Sequence, residues 1–123
     1  TSNEERYGQL IMELWRAARL VIDTGLHSKS WSKTQALEYR LANTPFSEQD
    51  SIHAIERYLV MPGQATSYKM SALEIKRLRR KAEKILGRKF SLAKFHQVIL
   101  GQGALPLDIL EQQVDQWIER GDR

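Results

Sequence analysis

The chain of 123 residues contains no cysteine, which excludes disulfide bonds, thiolate zinc sites and cysteine nucleophiles. It has only three histidines, so a three-histidine metal site would need all of them. No apolar run is long enough to span a bilayer, and no alternation of apolar and polar residues predicts a β-strand. The motifs His-Glu-x-x-His and Gly-x-Ser-x-Gly and a phosphate-binding glycine loop are also missing. The sequence therefore contains no complete catalytic set.

Positive charge is concentrated in one stretch, although the net charge of the whole chain is only +4. Residues 69–89 carry a large excess of lysine and arginine, a pattern that can indicate nucleic-acid binding. Apolar residues at helical spacing interrupt this run, however, and between Lys76 and Lys84 it has no aromatic side chain to stack on a base. We therefore expect a solvated helix face and no nucleic-acid binding. The last helix can supply counter-charges from Asp108, Glu111, Asp115 and Glu119.

The apolar periodicity predicts an all-α fold of about six helices, packed largely antiparallel, with two long central helices, the first and the fourth. Short loops and the length of the chain favour one helical domain over residues 1–123. Helix one is predicted over residues 4–24, with Gly25 as its C-cap. The other predicted boundaries are a second helix from Ser32 to about residue 42, a third from Ser47 to before Pro62, a fourth over 64–86, a fifth opening at Ser91 and a sixth with Pro106 in its first turn.

Helix one carries a continuous apolar stripe that we expect to face the core. Arg19 and Asp23 lie four residues apart and can pair on one helix face. His27 is expected in the loop after Gly25, where functional groups are common. The stripe consists of Tyr7, Leu10, Ile11, Leu14, Ala18, Val21 and Ile22.

The least generic stretch is residues 62–71. Pro62-Gly63 stops one helix, and the next helix begins with small and polar residues where a core helix carries leucine or isoleucine. Tyr68 lies on the apolar stripe of this helix, close to its start. The simplest interpretation is a core tyrosine with a satisfied hydroxyl; the alternative is a phenol that lines a cavity.

The histidines indicate no metal site. His53 and Glu56 lie three apart on helix three, which is typical of a surface pair, since two ligands do not make a site. His96 follows Phe95 within helix five and is expected to be a packed or capping group.

Three ordered blocks of the sequence resemble the C-terminal region of a bacterial family known as domain of unknown function 885. They are Leu-Trp-Arg-Ala-Ala-Arg-Leu-Val-Ile-Asp-Thr-Gly-Leu-His at 14–27, Pro-Gly-Gln-Ala at 62–65 with Ser-Tyr-Lys at 67–69, and Phe-His at 95–96 with Gly-Ala-Leu-Pro-Leu at 103–107. The resemblance covers nearly the whole chain. Full-length members look like helical zinc metallopeptidases, distantly similar to carboxypeptidase Taq and oligoendopeptidases. The zinc-binding region of the family, a His-Glu motif with a downstream Glu, lies upstream of the matched part.

The resemblance implies that the chain is a C-terminal fragment that supplies the wall of a cleft but no zinc ligands. Zinc would belong to the full-length parent. In the related peptidases, a tyrosine in a motif similar to Ser67-Tyr68-Lys69 donates a hydrogen bond to the tetrahedral oxyanion, and Tyr68 would take that role. The implied substrate-binding residues are His27, Arg19, Asp23, Gln64 and Lys69, of which the first three would orient either the substrate or Tyr68.

The expected partners are the remainder of the parent polypeptide and a peptide-like substrate. We expect the isolated chain to be inactive, to bind no zinc tightly, and to self-associate through a wall left exposed. The chain begins with Thr1 instead of Met, which fits a piece of a longer bacterial protein, cytoplasmic or exported. A different hypothesis is a non-catalytic interaction module whose basic helix four binds an acidic partner.

Overall fold

The computed structural model describes residues 2–121, and this part of the chain contains six α-helices and no strand. The predicted all-α fold is confirmed, and the first and fourth helices are the longest. None of the helices in the described part is long and apolar enough to cross a membrane. The helices are α1 (Asn3–Ser28), α2 (Lys33–Asn43), α3 (Glu48–Val60), α4 (Gln64–Leu86), α5 (Leu92–Leu100) and α6 (Leu107–Glu119), with a short 3₁₀ segment (Gly87–Lys89) after α4.

Serine side chains define the starts of four helices. Each of them accepts a hydrogen bond from the backbone N–H three residues further on, which satisfies a donor that has no partner within the helix. In α2 the bond is reciprocal, because Gln35 also accepts from the backbone N–H of Ser32. The four caps are Ser2, Ser32, Ser47 and Ser91.

The predicted end of α1 at Gly25 is wrong, because the helix continues through this glycine to Ser28. Gly25 is buried against the Trp31 ring, and a Cβ added at Gly25 would lie 2.4 Å from Trp31 Cδ2. The residue is glycine because an aromatic ring lies on it, not because the backbone leaves the helix there. As a consequence, His27 lies in the last turn of α1 and not in a loop.

The chain divides into two compact units, one ending at Met70 and the other beginning at Ser71. The first unit comprises α1, α2, α3 and the start of α4. Its core is made of small and aliphatic side chains together with one tyrosine. The buried members are Ala18, Ile22, Ala36, Ile55, Tyr58 and Ala65.

The first half of α1 does not follow the predicted core stripe. Tyr7, Leu10 and Leu14 are exposed, and so is Val21. Contacts of α1 with the rest of the first unit are made from Glu13 onwards, among them those of Trp15, Arg19 and Asp23. The apolar period therefore extends beyond the part of α1 that other elements of this unit cover.

The second unit consists of α4 from Ser71 onwards, α5 and α6. Its core combines aliphatic residues of all three helices with the Phe95 ring, which lies 6.3 Å from the ring of Trp117. The Phe90 ring also lies 6.3 Å from Trp117, close to edge-on. The buried residues are Leu78, Ala82, Phe95, Ile99, Leu110, Val114 and Ile118.

Candidate functional site

The six side chains singled out in the sequence all lie in the first unit, on α1 and on the first turns of α4. Five of them surround the Pro62-Gly63 turn and the start of α4, where hydrogen bonds and ring contacts link them. The sixth, Lys69, lies one residue beyond Tyr68. The six residues are Arg19, Asp23, His27, Gln64, Tyr68 and Lys69.

Asp23 binds the backbone at the start of α4. Its side chain is only 2% exposed, and its two oxygens accept from Gly63 N and Thr66 N, each at 3.3 Å. The first N–H groups of a helix have no intrahelical partners, and negative charge is favoured at that end. Asp23 therefore acts as an N-cap supplied by a different helix, and it fixes the position from which α4 starts.

His27 lies one helical turn after Asp23 on α1 and contacts it. Its Nε2 lies 2.9 Å from the carbonyl oxygen of Tyr58 and 3.4 Å from Asp23 Oδ1. Both neighbours are acceptors, so we assign the proton to Nε2, which donates to the carbonyl of α3. His27 thereby links the end of α1 to α3 and to the carboxylate that caps α4.

Arg19 is 5% exposed, and aromatic rings surround it. Its Nη2 donates to Gln64 Oε1 at 2.9 Å, and its guanidinium carbon lies 4.6 Å from the centre of the Tyr68 ring. The rings of Trp15 and Tyr58 lie at 5.5 and 5.6 Å. Such cation–π contacts strengthen when the cation is desolvated. The pairing of Arg19 with Asp23 that the spacing permits is not formed, because both side chains bind the start of α4.

Tyr68 is not a core residue, so the simplest interpretation of its sequence position is wrong. Its side chain is 47% exposed although its ring lies over the Arg19 guanidinium. Its hydroxyl makes no hydrogen bond to a residue in the 2–121 range. The phenol is therefore held through its ring, and its O–H remains able to donate to a ligand.

Lys69 pairs with Glu13, a residue that the sequence did not single out. Its Nζ lies 3.8 Å from Glu13 Oε2, a long ion pair with a partly exposed carboxylate. Trp15 was also missed, although its spacing of four residues from Arg19 places both on one helix face. The position of Tyr58 on the other side of Arg19 had no sequence signal, because it depends on how α3 packs.

The other two histidines contact side chains of their own helices. Glu56 binds Lys33 Nζ at 2.7 Å, while His53 Nε2 lies 2.9 Å from Gln49 Nε2, so the predicted surface pair has separate partners. His96 is exposed, with its ring 6.2 Å from Phe95, which corrects the expectation of a packed or capping group. The described residues contain no group of three His, Asp or Glu side chains that could hold a metal ion.

Cations of the basic run bind carboxylates of their own unit. Arg77 lies 2.6 Å from both Glu74 and Glu111, and Lys81 lies 2.7 Å from Asp115. The hydrogen bond from Arg77 is the main reason that the pKa of Glu111 is lowered. The predicted counter-charge from the last helix is thus confirmed, and these cations are directed at α6.

Comparison with known proteins identifies the family to which the chain belongs. The family model described as "Bacterial protein of unknown function (DUF885)" matches residues 1–114. The crystal structure of "the putative lipoprotein from Colwellia psychrerythraea" shares 47% sequence identity and superposes with a TM-score of 0.90. The match covers 92% of this chain and 19% of that one, so the chain spans about a fifth of the length of this relative. No curated protein matches the chain. On the strength of the family match, the chain belongs to the DUF885 family of bacterial proteins.

Proposed function

We propose that the chain is the C-terminal helical part of a zinc-dependent, peptidase-like hydrolase. In this proposal it supplies one wall of the cleft and a phenol that donates a hydrogen bond to the tetrahedral oxyanion. The observation that carries the proposal is Tyr68, whose half-exposed ring lies over the buried Arg19 guanidinium and whose hydroxyl has no protein partner among the described residues. The role is taken from the likeness of full-length family members to helical metallopeptidases, which is itself part of the proposal.

The proposed role of Tyr68 follows from where charge develops during hydrolysis. Attack of water on the scissile carbonyl places negative charge on the carbonyl oxygen. A donor aimed at this oxygen binds the transition state more tightly than the substrate, and only such a difference accelerates the chemical step. One such donor contributes on the order of 3 kcal/mol in enzymes where it has been removed.

Arg19 and Asp23 act as positioning residues in this proposal. Both are almost fully buried. We therefore assign them the role of orienting Tyr68 and not that of contacting a substrate. Arg19 holds the ring and bonds Gln64, while Asp23 holds the backbone of the same helix start. A donor that is fixed in advance needs no reorganisation when charge develops.

His27, Gln64 and Lys69 complete the proposed arrangement. His27 links α3 to the carboxylate of Asp23. Gln64 accepts a hydrogen bond from Arg19 Nη2. Among the residues that the structure describes, Lys69 pairs only with Glu13, at a long distance, so its ammonium group can turn towards a peptide-like substrate. We assign substrate contact to Lys69 and positioning to the other two.

The donor groups of the described residues do not fit a zinc site. Catalytic zinc uses about three protein ligands and an open position, and the described residues bring no three suitable side chains together. The proposed zinc therefore belongs to another part of the longer polypeptide, and no step assigned to this chain passes through it. We accordingly expect no hydrolysis by the isolated chain.

The proposed partner is the remainder of that longer polypeptide. The exposed apolar side chains on the first half of α1, among them Tyr7, Leu10 and Leu14, are of the kind that an adjoining part of a protein covers. We also propose that the longer protein is exported, which the lipoprotein description of the solved relative supports. Fractionation of the bacterium tests this, and recovery only from the cytosol would contradict it.

The proposal is tested on the longer protein that contains this segment. Zinc-dependent cleavage of a peptide library is expected, and Tyr68→Phe should lower kcat by about 100-fold while the melting temperature stays unchanged. Tyr7→Phe is the matched control, because it removes the same hydroxyl from a tyrosine of α1 far from Arg19 along the helix and keeps the ring of the apolar face. Zinc-independent turnover, or full activity in Tyr68→Phe, would overturn the assignment.

A further inference from the structure

A second feature of the first unit adjoins the arrangement around Tyr68 and shares Trp15 with it. It is an open cleft of about 410 Å³ with an aromatic wall and several ionisable side chains. No role in the proposed hydrolase has been assigned to the residues that line it. They include Trp15, Arg40, Phe46, Asp50, His53 and Arg57.

Arg40 is the most unusual residue of this cleft. Its side chain is only 3% exposed, and its Nε donates to Ser51 Oγ at 3.1 Å, but its Nη1 is buried without a hydrogen-bond partner. Burial lowers the pKa of Arg40, while the nearby Tyr58 and Asp50 oppose this effect. A buried guanidinium with one donor group left unpartnered is costly, because arginine can only donate.

Trp15 presents a second unpartnered donor on the same cleft. Its indole Nε1 is buried and forms no hydrogen bond with a described residue. Its ring lies 5.7 Å from the ring of Phe46, close to edge-on, and Phe46 also lies 4.7 Å from the Arg40 guanidinium carbon. Trp15 Nε1 and Arg40 Nη1 are both donor-only groups, so an acceptor is what satisfies them together.

The charges of the cleft favour a ligand with one negative charge. Arg40 and Arg57 contribute two positive charges, and Asp50 contributes one negative charge. Oδ2 of Asp50 accepts a hydrogen bond from Ser47 Oγ at 2.6 Å. Arg57 forms no ion pair with a carboxylate in the described part of the chain, and its guanidinium lies 5.8 Å from the Tyr58 ring. A water molecule could satisfy the donors, but it would leave the excess positive charge uncompensated.

From this geometry we propose that the cleft binds a small organic monocarboxylate. The carboxylate accepts from Trp15 Nε1 and Arg40 Nη1 at the floor of the cleft, and the apolar part of the ligand lies against the rings of Trp15 and Phe46. Arg57, which is exposed at the rim, adds a long-range attraction. The proposal does not depend on the peptidase assignment, since it uses neither Tyr68 nor zinc.

The test is a titration of the 123-residue chain, labelled with ¹⁵N, with phenylacetate and separately with phenylacetamide. We expect phenylacetate to move the indole N–H signal of Trp15 saturably at millimolar concentrations, because a charged acceptor binds that hydrogen. Phenylacetamide has the same shape without the charge and should leave the signal in place. The indole signals of Trp31 and Trp117 serve as internal controls, and Trp15→Phe assigns the third signal.

The dipeptide Gly-Phe and its C-terminal amide distinguish a free carboxylate from the end of a peptide chain. Tighter binding of Gly-Phe than of phenylacetate would identify a peptide C-terminus as the ligand. Weaker binding of Gly-Phe would identify a free organic acid. Either result supports the carboxylate site, provided that the dipeptide amide leaves the Trp15 signal unchanged.

Three variants test the assigned contacts. Trp15→Phe keeps a ring but removes the indole donor, Arg40→Lys keeps the charge but removes the planar fork, and Arg57→Gln changes only the rim. In calorimetric titrations, which do not need the Trp15 signal, the first two should weaken phenylacetate binding by about tenfold, and Arg57→Gln by less. If Arg40→Lys does not fold, Trp15→Phe and Arg57→Gln still decide the question.

Arg79→Gln, which changes an exposed arginine of the second unit, is the control and should bind phenylacetate as the parent chain does. Three results would overturn the proposal. They are equal shifts by phenylacetate and phenylacetamide, no movement of the Trp15 signal, or unchanged affinity in folded Trp15→Phe.

Discussion

The guanidinium carbon of Arg19 lies 4.6 Å from the centre of the Tyr68 ring, while Nη2 of the same side chain bonds the first residue of α4. One buried cation thus binds both the start of a helix and a tyrosine one turn further along it. The contact limits the rotation of the ring without covering its hydroxyl. This relationship explains how a half-exposed tyrosine can still be held in one orientation.

Arg19→Met should lower kcat of the longer protein by about tenfold and leave KM nearly unchanged, because the phenol loses its fixed position but remains present. Methionine keeps much of the side-chain volume while removing the charge and the donor to Gln64. Steady-state kinetics on the peptide substrate give the measurement, with thermal unfolding recorded in parallel.

A double-mutant cycle with Tyr68→Phe separates positioning from general stability. If Arg19 acts through Tyr68, the two losses in kcat should not add, and the double variant should be about as slow as Tyr68→Phe. Full additivity in kcat would show that Arg19 supports the fold alone.

The two glycines of α1 should respond to alanine in opposite directions. Gly25→Ala places a Cβ 2.4 Å from the Trp31 ring, and overpacking of this kind should lower the free energy of unfolding by about 2 kcal/mol. Gly8 has open space around its Cβ position, so Gly8→Ala should raise the free energy of unfolding by about 1 kcal/mol through helix propensity. Urea unfolding measures both changes. Equal effects of the two substitutions would contradict the packing of Trp31 on α1.

The second unit should lose stability in acid because of Glu111. The hydrogen bond from Arg77 holds the pKa of this carboxylate below its ordinary value of 4.5. The contribution is therefore fully present above pH 4.5 and is lost as the pH falls through the lower pKa of the folded state. Glu111→Gln should flatten the decline of the melting temperature below pH 4.5, and added salt should reduce the difference. An unchanged acid limb would show that the network around Arg77 contributes nothing.

The exposed apolar face of α1 should make the isolated chain self-associate. Tyr7, Leu10 and Leu14 are exposed and lie three and four residues apart on one side of the helix, and such faces favour association. In sedimentation velocity, the average mass should rise with concentration, and Leu10→Gln with Leu14→Gln should reduce this rise. Leu100→Gln, at a 73% exposed leucine of α5, is the control. A chain that stays monomeric at high concentration would contradict this prediction.

Features that depend on neighbouring residues could be predicted from the sequence, while those that depend on packing could not. The serine caps are local, so Ser32, Ser47 and Ser91 predicted the starts of three helices. Gly25 was misinterpreted because a helix-ending glycine and a glycine under a ring look alike in one dimension. The apolar periodicity correctly predicted that α1 is a helix. It could not show which part of that helix the other helices of the unit would cover.

The candidate site shows the same division. The blocks that contain Arg19, Asp23 and Tyr68 named residues that the fold brings together at the start of α4, yet their spacing suggested that Arg19 pairs with Asp23. In the fold, each of them binds the start of α4 instead. The unpartnered donors of Trp15 and Arg40 gave no sequence signal, because only the packing of three helices leaves them without partners.

The central claim, that Tyr68 stabilises an oxyanion, is tested most directly with a peptide phosphinate, a tetrahedral anion that resembles the transition state. Its inhibition constant is measured on the longer protein and on the variants Tyr68→Phe and Tyr7→Phe. We predict that Tyr68→Phe weakens phosphinate binding by about the factor by which it lowers kcat, with KM of the substrate unchanged, and that Tyr7→Phe alters neither. Equal phosphinate affinity in the parent protein and in Tyr68→Phe would contradict the account.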